Sequence, residues 1–272
     1  MEKFSIVVLN YLNYKDTIEC VQSIHDMEYD YAGIVIVDNH SNNESYDILC
    51  KEYANHEKIK VIQTKKNLGF AKGNNVGITS ARKTFHTDFV FVVNNDTIFL
   101  MHDFFKVLME EYEEGIGVLG PEIQVRDGSI QSKIRKHLAF RDVFLTYINL
   151  LLLYKGKQIW LKVFKLPPVG RCEKEELLHG CALLFTPDFF RYYKGFYPHT
   201  FLYHEEDILL LMCKNRSLQQ KYVDSVRIFH KEDQSSEMSF NNEKRKTWYY
   251  HLKSYRILLW YIMKSRISLC KK

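Results

Sequence analysis

The sequence predicts an α/β domain, a mostly parallel sheet with helices on both faces, followed by a helical extension at the C-terminus. Three observations carry this prediction. Short apolar, β-branched runs alternate with segments of helical spacing between Phe4 and Leu119. The runs are apolar at consecutive positions, as expected of strands covered by helices on both sides. Polar clusters follow three of them directly: Asn10-Tyr11, Asp38-Asn39-His40-Ser41 and Asn94-Asn95-Asp96. In open parallel sheets ligands bind beyond the carboxyl ends of the strands, so these clusters are the first candidates for a site.

The elements follow in order. Phe4–Leu9 reads as a strand, and Tyr14–Met27 as a helix with Ile18, Val21 and Ile24 on one face. Gly33–Val37 is a second strand, Ser45–Tyr53 a helix, Ile59–Gln63 a third strand and Phe70–Lys83 a helix. Asp88–Val93 is a fourth strand, Asp103–Glu113 a helix, and Ile116–Leu119 a strand closed by Gly120-Pro121. Beyond it, Asp127-Gly128 between two alternating runs signals a hairpin. Residues 138–166 are rich in Leu, Phe, Tyr and Lys and are broken at Pro167-Pro168-Val169-Gly170. Leu177–Thr186 reads as one buried strand, Phe201–Tyr203 as a short one, Glu205–Asn215 as a helix and residues 243–266 as a long helix. Residues 1–120 and 121–235 are thus expected to form two halves of the same domain. Residues 236–272 form a basic, aromatic tail.

Composition narrows the class. With 46% hydrophobic and 26% charged residues, 272 residues suffice for a sizeable core. A net charge of +5 is too small to imply nucleic acid, and the excess is concentrated beyond Lys244. The six cysteines form no CxxC pair, and no His joins them at zinc spacing, so reduced thiols in a cytoplasmic protein are expected. The N-terminus is strand-like and is not read as a signal peptide. The apolar run Leu150–Tyr154 is far too short to span a bilayer.

The clusters have distinct chemistry. Asp38 at a strand end can accept hydrogen bonds from a base or ribose, or simply cap the next helix. The run Asn67–Asn75, with Gly69, Phe70, Lys72, Gly73 and Asn74, precedes a helix. Its glycines allow close backbone approach, and amides at a helix start favour a diphosphate. It has neither GxGxxG nor GK[ST], and a Gly-capped turn is the plainer reading. Asp96, leaving the sheet edge, could hold Mg²⁺ or Mn²⁺ or cap a turn; such ions need only one or two protein carboxylates. Glu205, Glu206 and Asp207 open a helix, where acid also complements the helix dipole.

Taken together, these motifs resemble inverting glycosyltransferases of family 2, and within them the bacterial rhamnosyltransferase-like branch that builds surface polysaccharide. The matching stretches are Ser5–Tyr11, Val37–Ser41, Asn67–Asn75, Val93–Thr97, His179–Phe185 and Phe201–Asp207. The resemblance implies a GT-A fold, a nucleoside-diphosphate sugar donor (UDP- or dTDP-linked) and a divalent metal. It places the nucleotide at Asn10, Tyr11, Asp38 and Asn39, with the Asn67–Asn75 loop nearby. The family's DxD motif falls on Asn94-Asn95-Asp96, leaving Asp96 as its sole carboxylate, and a late metal-binding His matches His230. The catalytic base falls on the Glu205–Asp207 run and is open between Glu206 and Asp207; adjacent helical residues point about 100° apart, so only one of them can point squarely at the acceptor hydroxyl. Acceptors of this branch are saccharides or lipid-linked saccharides of capsule or O-antigen type.

Other readings remain at this stage. A sugar-nucleotide pyrophosphorylase would carry a Gly-rich basic loop after its first strand, where this chain has Asn10-Tyr11-Leu12-Asn13-Tyr14. A catalytically silent nucleotide-sugar-binding scaffold is suggested by Asn94 and by the unusual acidic run. The basic tail reads either as a helix packed on the domain or a homodimer contact, or as a peripheral anchor on the anionic inner face of the cell membrane.

Overall fold

Alternation decides which side of the sheet each strand residue covers. The computed structural model describes residues 3–27, 30–131, 133–136, 138–154, 175–232 and 244–265. In β1 (Phe4–Asn10), Phe4, Ile6 and Val8 enter one core cluster, while Val7 enters the cluster on the opposite face. The same division recurs in β2 (Gly33–Asp38) and β4 (Phe89–Asn94), where Ile34, Ile36, Phe89 and Phe91 oppose Val35, Val37, Val90 and Val92. All of these side chains are buried, which accounts for the uninterrupted apolar runs.

The first core packs under α1 (Tyr14–His25), α2 (Ser45–Glu52) and α4 (Phe104–Glu110). The second packs under α3 (Gly69–Phe85), α7 (Glu205–Asn215) and the C-terminal helix α8 (Lys244–Lys264). Helix α3 lies unusually close to the sheet. A Cβ added at Gly77 would sit 2.2 Å from Val7 Cγ1 and 2.9 Å from Val37 Cγ2, so no other residue fits there without displacing the helix.

The remaining elements are β3 (Ile59–Gln63), β5 (Thr97–Phe99), β6 (Ile116–Val125), β7 (Lys133–Lys136), α5 (Phe140–Tyr154), β8 (Glu175–Leu178), β9 (Ala182–Phe185), α6 (Pro187–Phe190) and β10 (Gln219–His230). The main sheet has the order β3-β2-β1-β4-β9-β6-β10-β5, and β7 pairs with β8 in a second, two-stranded sheet. Parallel pairing links β3, β2, β1 and β4, and links β6 with β10. Strand β9 runs antiparallel between β4 and β6, and β5 closes the edge antiparallel to β10. The sheet is therefore mixed, and β6 carries it across residue 120.

Several expected elements change. The stretch Leu177–Thr186 is not one strand: it breaks at His179-Gly180-Cys181 into β8 and β9, which belong to different sheets. Gly120-Pro121 does not end β6. After Leu119 the strand parts from β9 and continues against β10, where a register shift between Val223 and Arg227 absorbs the irregularity. Phe201–Tyr203 forms bends rather than a strand, because Tyr203 and His204 adopt φ of 72° and 68°. The Asp127-Gly128 turn forms as expected, with Gly128 at φ 82°. Pro167–Gly170, Cys172, Cys270 and both ends of the tail lie outside the described residues. Cys20, Cys50, Cys181 and Cys213 are free thiols.

Candidate active site

At the carboxyl ends of β1 and β2, two buried polar residues face each other. Asn10 donates through Nδ2 to Asp38 Oδ2 at 2.8 Å and accepts at Oδ1 from Thr17 Oγ1 at 2.8 Å. Asp38 Oδ1 accepts from the Ser41 amide at 2.9 Å and from Gln63 Nε2 at 3.1 Å. Both carboxylate oxygens are thus committed inside the protein. Asp38 shapes the turn that follows β2, and Tyr11 stands half-buried beside it at the end of β1.

Asn39 joins this turn to the start of α3. Its Nδ2 donates to Asn67 Oδ1 and to the Gly69 carbonyl, each at 3.2 Å, and its Oδ1 accepts from the Leu68 amide at 3.0 Å. The Gly69 amide donates to Asn67 Oδ1 and the Phe70 amide to the Phe201 carbonyl. The expectation of free loop amides aimed at a diphosphate is therefore corrected: those of Leu68, Gly69 and Phe70 are already satisfied. The glycines serve packing. Gly69 has φ 78° and lies against the Phe201 backbone, while Gly73 lies against Leu9 and the Asn39 side chain. Asn74 is buried and donates to the Phe70 carbonyl, and the Phe70 ring packs edge-on against Phe196. Lys72 is exposed, in an outer hollow it shares with Val76, Lys83 and Pro198.

The Asn-Asn-Asp stretch divides its side chains. Asn95 Nδ2 donates to the Asn13 carbonyl at 3.0 Å and to Thr17 Oγ1 at 3.1 Å, which commits it to the start of α1. Asp96 turns the other way, its Oδ1 lying 3.2 Å from His230 Nε2. Both residues are buried. Two cis donors on one octahedral ion at about 2.1 Å each would lie about 3 Å apart. The 3.2 Å spacing is that of a direct Asp–His pair, and it is also compatible with two cis ligands of one divalent cation. Among the described residues no group of three or more His, Cys, Asp or Glu could hold an ion. The remaining ligands would have to be water and phosphate oxygens, as is usual for Mg²⁺.

The break between β8 and β9 completes the site. The His179 ring stands edge-on to His230, with centroids 5.5 Å apart. Its Nδ1 accepts from the Cys181 amide at 3.2 Å, which leaves the proton of a neutral ring on Nε2. Burial pushes its pKa down; Glu206 opposes that shift and His230 adds to it. Glu206 Oε1 reaches the same turn, so close to Gly180 that a Cβ there would lie 2.5 Å away. The charges of Asp96 and Glu206 both act on Cys181, raising its thiol beyond the effect of burial. The two carboxylates therefore flank one turn. Sequence reasoning gave His179 and Gly180 no role. The signals were a polar pair interrupting an apolar stretch and the place of His179–Phe185 among the stretches that carry the family resemblance.

The three consecutive carboxylates part company on α7. Asp207 is buried, its Oδ2 2.9 Å from His204 Nδ1 and facing α8. Glu205 is buried beside Thr200, and burial followed by the charge of Glu206 raises it to about 8. Only Glu206 is partly exposed.

Comparison with known proteins adds a family. The model described as "Glycosyl transferase family 2" matches residues 5–166. A curated relative, the low-salt glycan biosynthesis hexosyltransferase Agl10 of Haloferax volcanii, is 24% identical over 208 residues. These are 76% of this chain but 60% of that protein. The fold is similar to S. aureus TarS 1–349 in complex with UDP-GlcNAc, at TM-score 0.62 and 15% identity, covering 98% of this chain and 68% of that one. It is also similar to GalNAc-T7 crystallised with UDP, GalNAc and Mn²⁺, at TM-score 0.61 and 13% identity, covering 85% and 43%. Both likenesses confirm the GT-A fold.

The Glu205 shift has a measurable consequence. Its pKa lies at about 8 in the fold against 4.5 ordinarily, so between these values the folded state holds a proton that the unfolded state has lost. Stability therefore falls as pH rises through that window. Glu205→Gln does not titrate, so thermal melts should show its advantage over wild type growing from pH 5 to pH 8. A difference constant across that range would refute the raised pKa.

Proposed function

Because the chain belongs to glycosyl transferase family 2, we propose that it moves a sugar from a nucleoside-diphosphate donor to an acceptor hydroxyl, with inversion at the anomeric carbon. The observation that carries the reading is the convergence of Asp96, His230, His179 and Glu206 at one end of the sheet. In this reading the nucleoside lies over the ends of β1 and β2, where the Asn10–Asp38 pair fixes the floor and Tyr11 the edge. The donor diphosphate points to Asp96 and His230. These residues would hold Mg²⁺ or Mn²⁺, which when bound acts as a Lewis acid toward the leaving phosphate.

Glu206 is the general base. It takes the proton of the acceptor hydroxyl while that oxygen bonds to the anomeric carbon, and the bond to the diphosphate breaks with its electrons on the leaving oxygen. His179, with its proton on Nε2, is a neutral hydrogen-bond donor beside this step. Asp207 is excluded as base in this reading because it is engaged with His204, and Glu205 because burial keeps it protonated. A UDP- or dTDP-hexose donor and a role in surface polysaccharide synthesis, of capsule or O-antigen type, accord with the hexosyltransferase relative. The chain spans only about 60% of that relative, so acceptor and linkage are part of the proposal.

We place the protein at the cytoplasmic membrane surface, acting on a lipid-linked saccharide. Among the described residues no helix is long and apolar enough to cross a membrane. The sequence of α8 contains Lys and Arg but no acid. Its inner residues Leu252, Leu258, Leu259 and Ile262 are buried, so it packs on the domain. Its outer face carries Lys253, Arg256, Trp260, Met263 and Lys264 at helical spacing, next to exposed Phe140 and Phe144 of α5. An interfacial helix presents such a basic, aromatic stripe to anionic lipid.

Three outcomes test these statements. Asp96→Ala should reduce nucleoside diphosphate release to below about 1% of wild type in Mn²⁺; near-full activity of this variant in a chelator would remove the metal role. Glu206→Gln should lower kcat about a hundredfold or more, whereas rates equal to wild type would move the base elsewhere. Paired Lys253→Glu and Arg256→Glu should weaken sedimentation with phosphatidylglycerol vesicles about tenfold or more without changing donor hydrolysis. Equal binding to neutral and anionic vesicles, or a shift to nucleic acid or to dimers instead, would overturn the membrane assignment.

A further inference from the structure

The segment that presents Glu206 is held in an unfavourable backbone. Tyr203 and His204 are consecutive non-glycine residues with φ of 72° and 68°, where each Cβ crowds its own carbonyl. Such a pair persists only where surrounding contacts impose it. The contacts here come from two directions. From α7, Asp207 holds His204 Nδ1 at 2.9 Å. From α8, His251 Nδ1 lies 3.3 Å from His204 Nε2, and the His251 ring stacks on Tyr203 at 3.8 Å between centroids and 8° between planes. The Tyr255 ring covers His204 at 4.0 Å, and Ser254 Oγ donates to the Leu202 carbonyl at 2.8 Å.

We propose that His204, clamped between Asp207 and His251, is the positioning residue that sets Glu206, so that α8 is a working part of the catalytic apparatus. The proposal rests on the reading of Glu206 as base. The chain of contacts is continuous. His204 donates its Nδ1 proton to Asp207, and its Nε2 then accepts from His251 when the ring is neutral. This fixes the ring, the ring fixes the left-handed turn, and the turn determines where the first helical residues of α7 point. Glu205 is packed inward and Asp207 is bonded to His204, so rotation of the turn would move Glu206 away from Gly180 and His179. The sequence separates His251 from Glu206 by 45 positions, and the fold brings His251 against His204, two positions before Glu206.

Glycine separates the clamp from the backbone it imposes. It adopts positive φ without strain, so His204→Gly keeps the turn accessible while removing the ring and its contacts with Asp207, His251 and Tyr255. The full-length variant is expected to melt within a few degrees of wild type. With Mn²⁺ and a panel of UDP-N-acetylglucosamine, UDP-glucose and dTDP-rhamnose, and water as acceptor, kcat should fall roughly tenfold to a hundredfold with donor KM unchanged. His251→Ala should do the same, and the double variant should be no worse than either alone. Wild-type kcat in His204→Gly would overturn the clamp while leaving Glu206 as base. Wild-type kcat in Glu206→Gln would overturn the base reading itself. Hydrogen exchange gives a readout independent of turnover. The amides of Glu205–Asp207 should exchange faster in both His variants, but not in a Lys106→Ala control on α4; unchanged exchange would also overturn the proposal.

Discussion

The antiparallel insertion of β9 between β4 and β6 is the constraint on which the site depends. A strand running against its neighbours begins where they end. The turn before β9 therefore lies at the carboxyl edge of the parallel strands, and the Asn94 amide bonds the Cys181 carbonyl at 2.8 Å. That hydrogen bond joins residues 87 apart in sequence. Asp96 leaves β4 on one side of the turn, and His230 ends β10 on the other, held by its pairing with Thr97 of β5. Had β9 been parallel, His179 and Gly180 would lie at the opposite edge of the sheet, and Glu206 would face no partner.

The acidic run shows how a fold gives three neighbouring carboxylates different chemistry. Successive residues of a helix diverge by about 100°, so the side chains enter three environments. Glu205 enters a buried space where ionisation is penalised. Asp207 enters a polar pocket formed by a histidine. Glu206 keeps access to solvent beside a neutral imidazole. At Glu205 burial outranks the repulsion from Glu206 as the cause of its raised pKa.

Much of this was legible in the sequence because it depended on local periodicity. The first four strands and the helices between them agree with expectation within a few residues, and so does α7, whose charge pattern marks both ends. The polar clusters do follow the carboxyl ends of β1, β2 and β4, yet the side chains within them could not be assigned directions. Asn10, Asp38 and Asn39 were read as facing a nucleotide, and each engages its polar atoms chiefly within the protein. Gly69 and Gly73 were read as making room for phosphate, and they make room for Phe201, Leu9 and Asn39 instead. A pattern records that backbone must approach something closely; what approaches is decided by residues far along the chain. The same limit explains the break at His179-Gly180-Cys181, since only the partner strands of β8 and β9 reveal that two sheets meet there.

The Asn-Asn-Asp stretch has a physical rationale in the charge around it. A first carboxylate at Asn94 would add charge beside Asp96 in a region already shared with Glu206. The neutral residue lowers that repulsion, and Asn95, tied to α1, keeps the segment rigid. Rigidity extends through Lys231, whose amide bonds the Asp96 carbonyl and whose ammonium is held by Asp16 and Glu19 of α1. The position of Asp96 is thus fixed by β4, α1 and β10 together. In the proposed reading, a single carboxylate so placed, with His230 as its neighbour, would need little reorganisation to accept an ion, offsetting the absent second carboxylate by preorganisation rather than by charge.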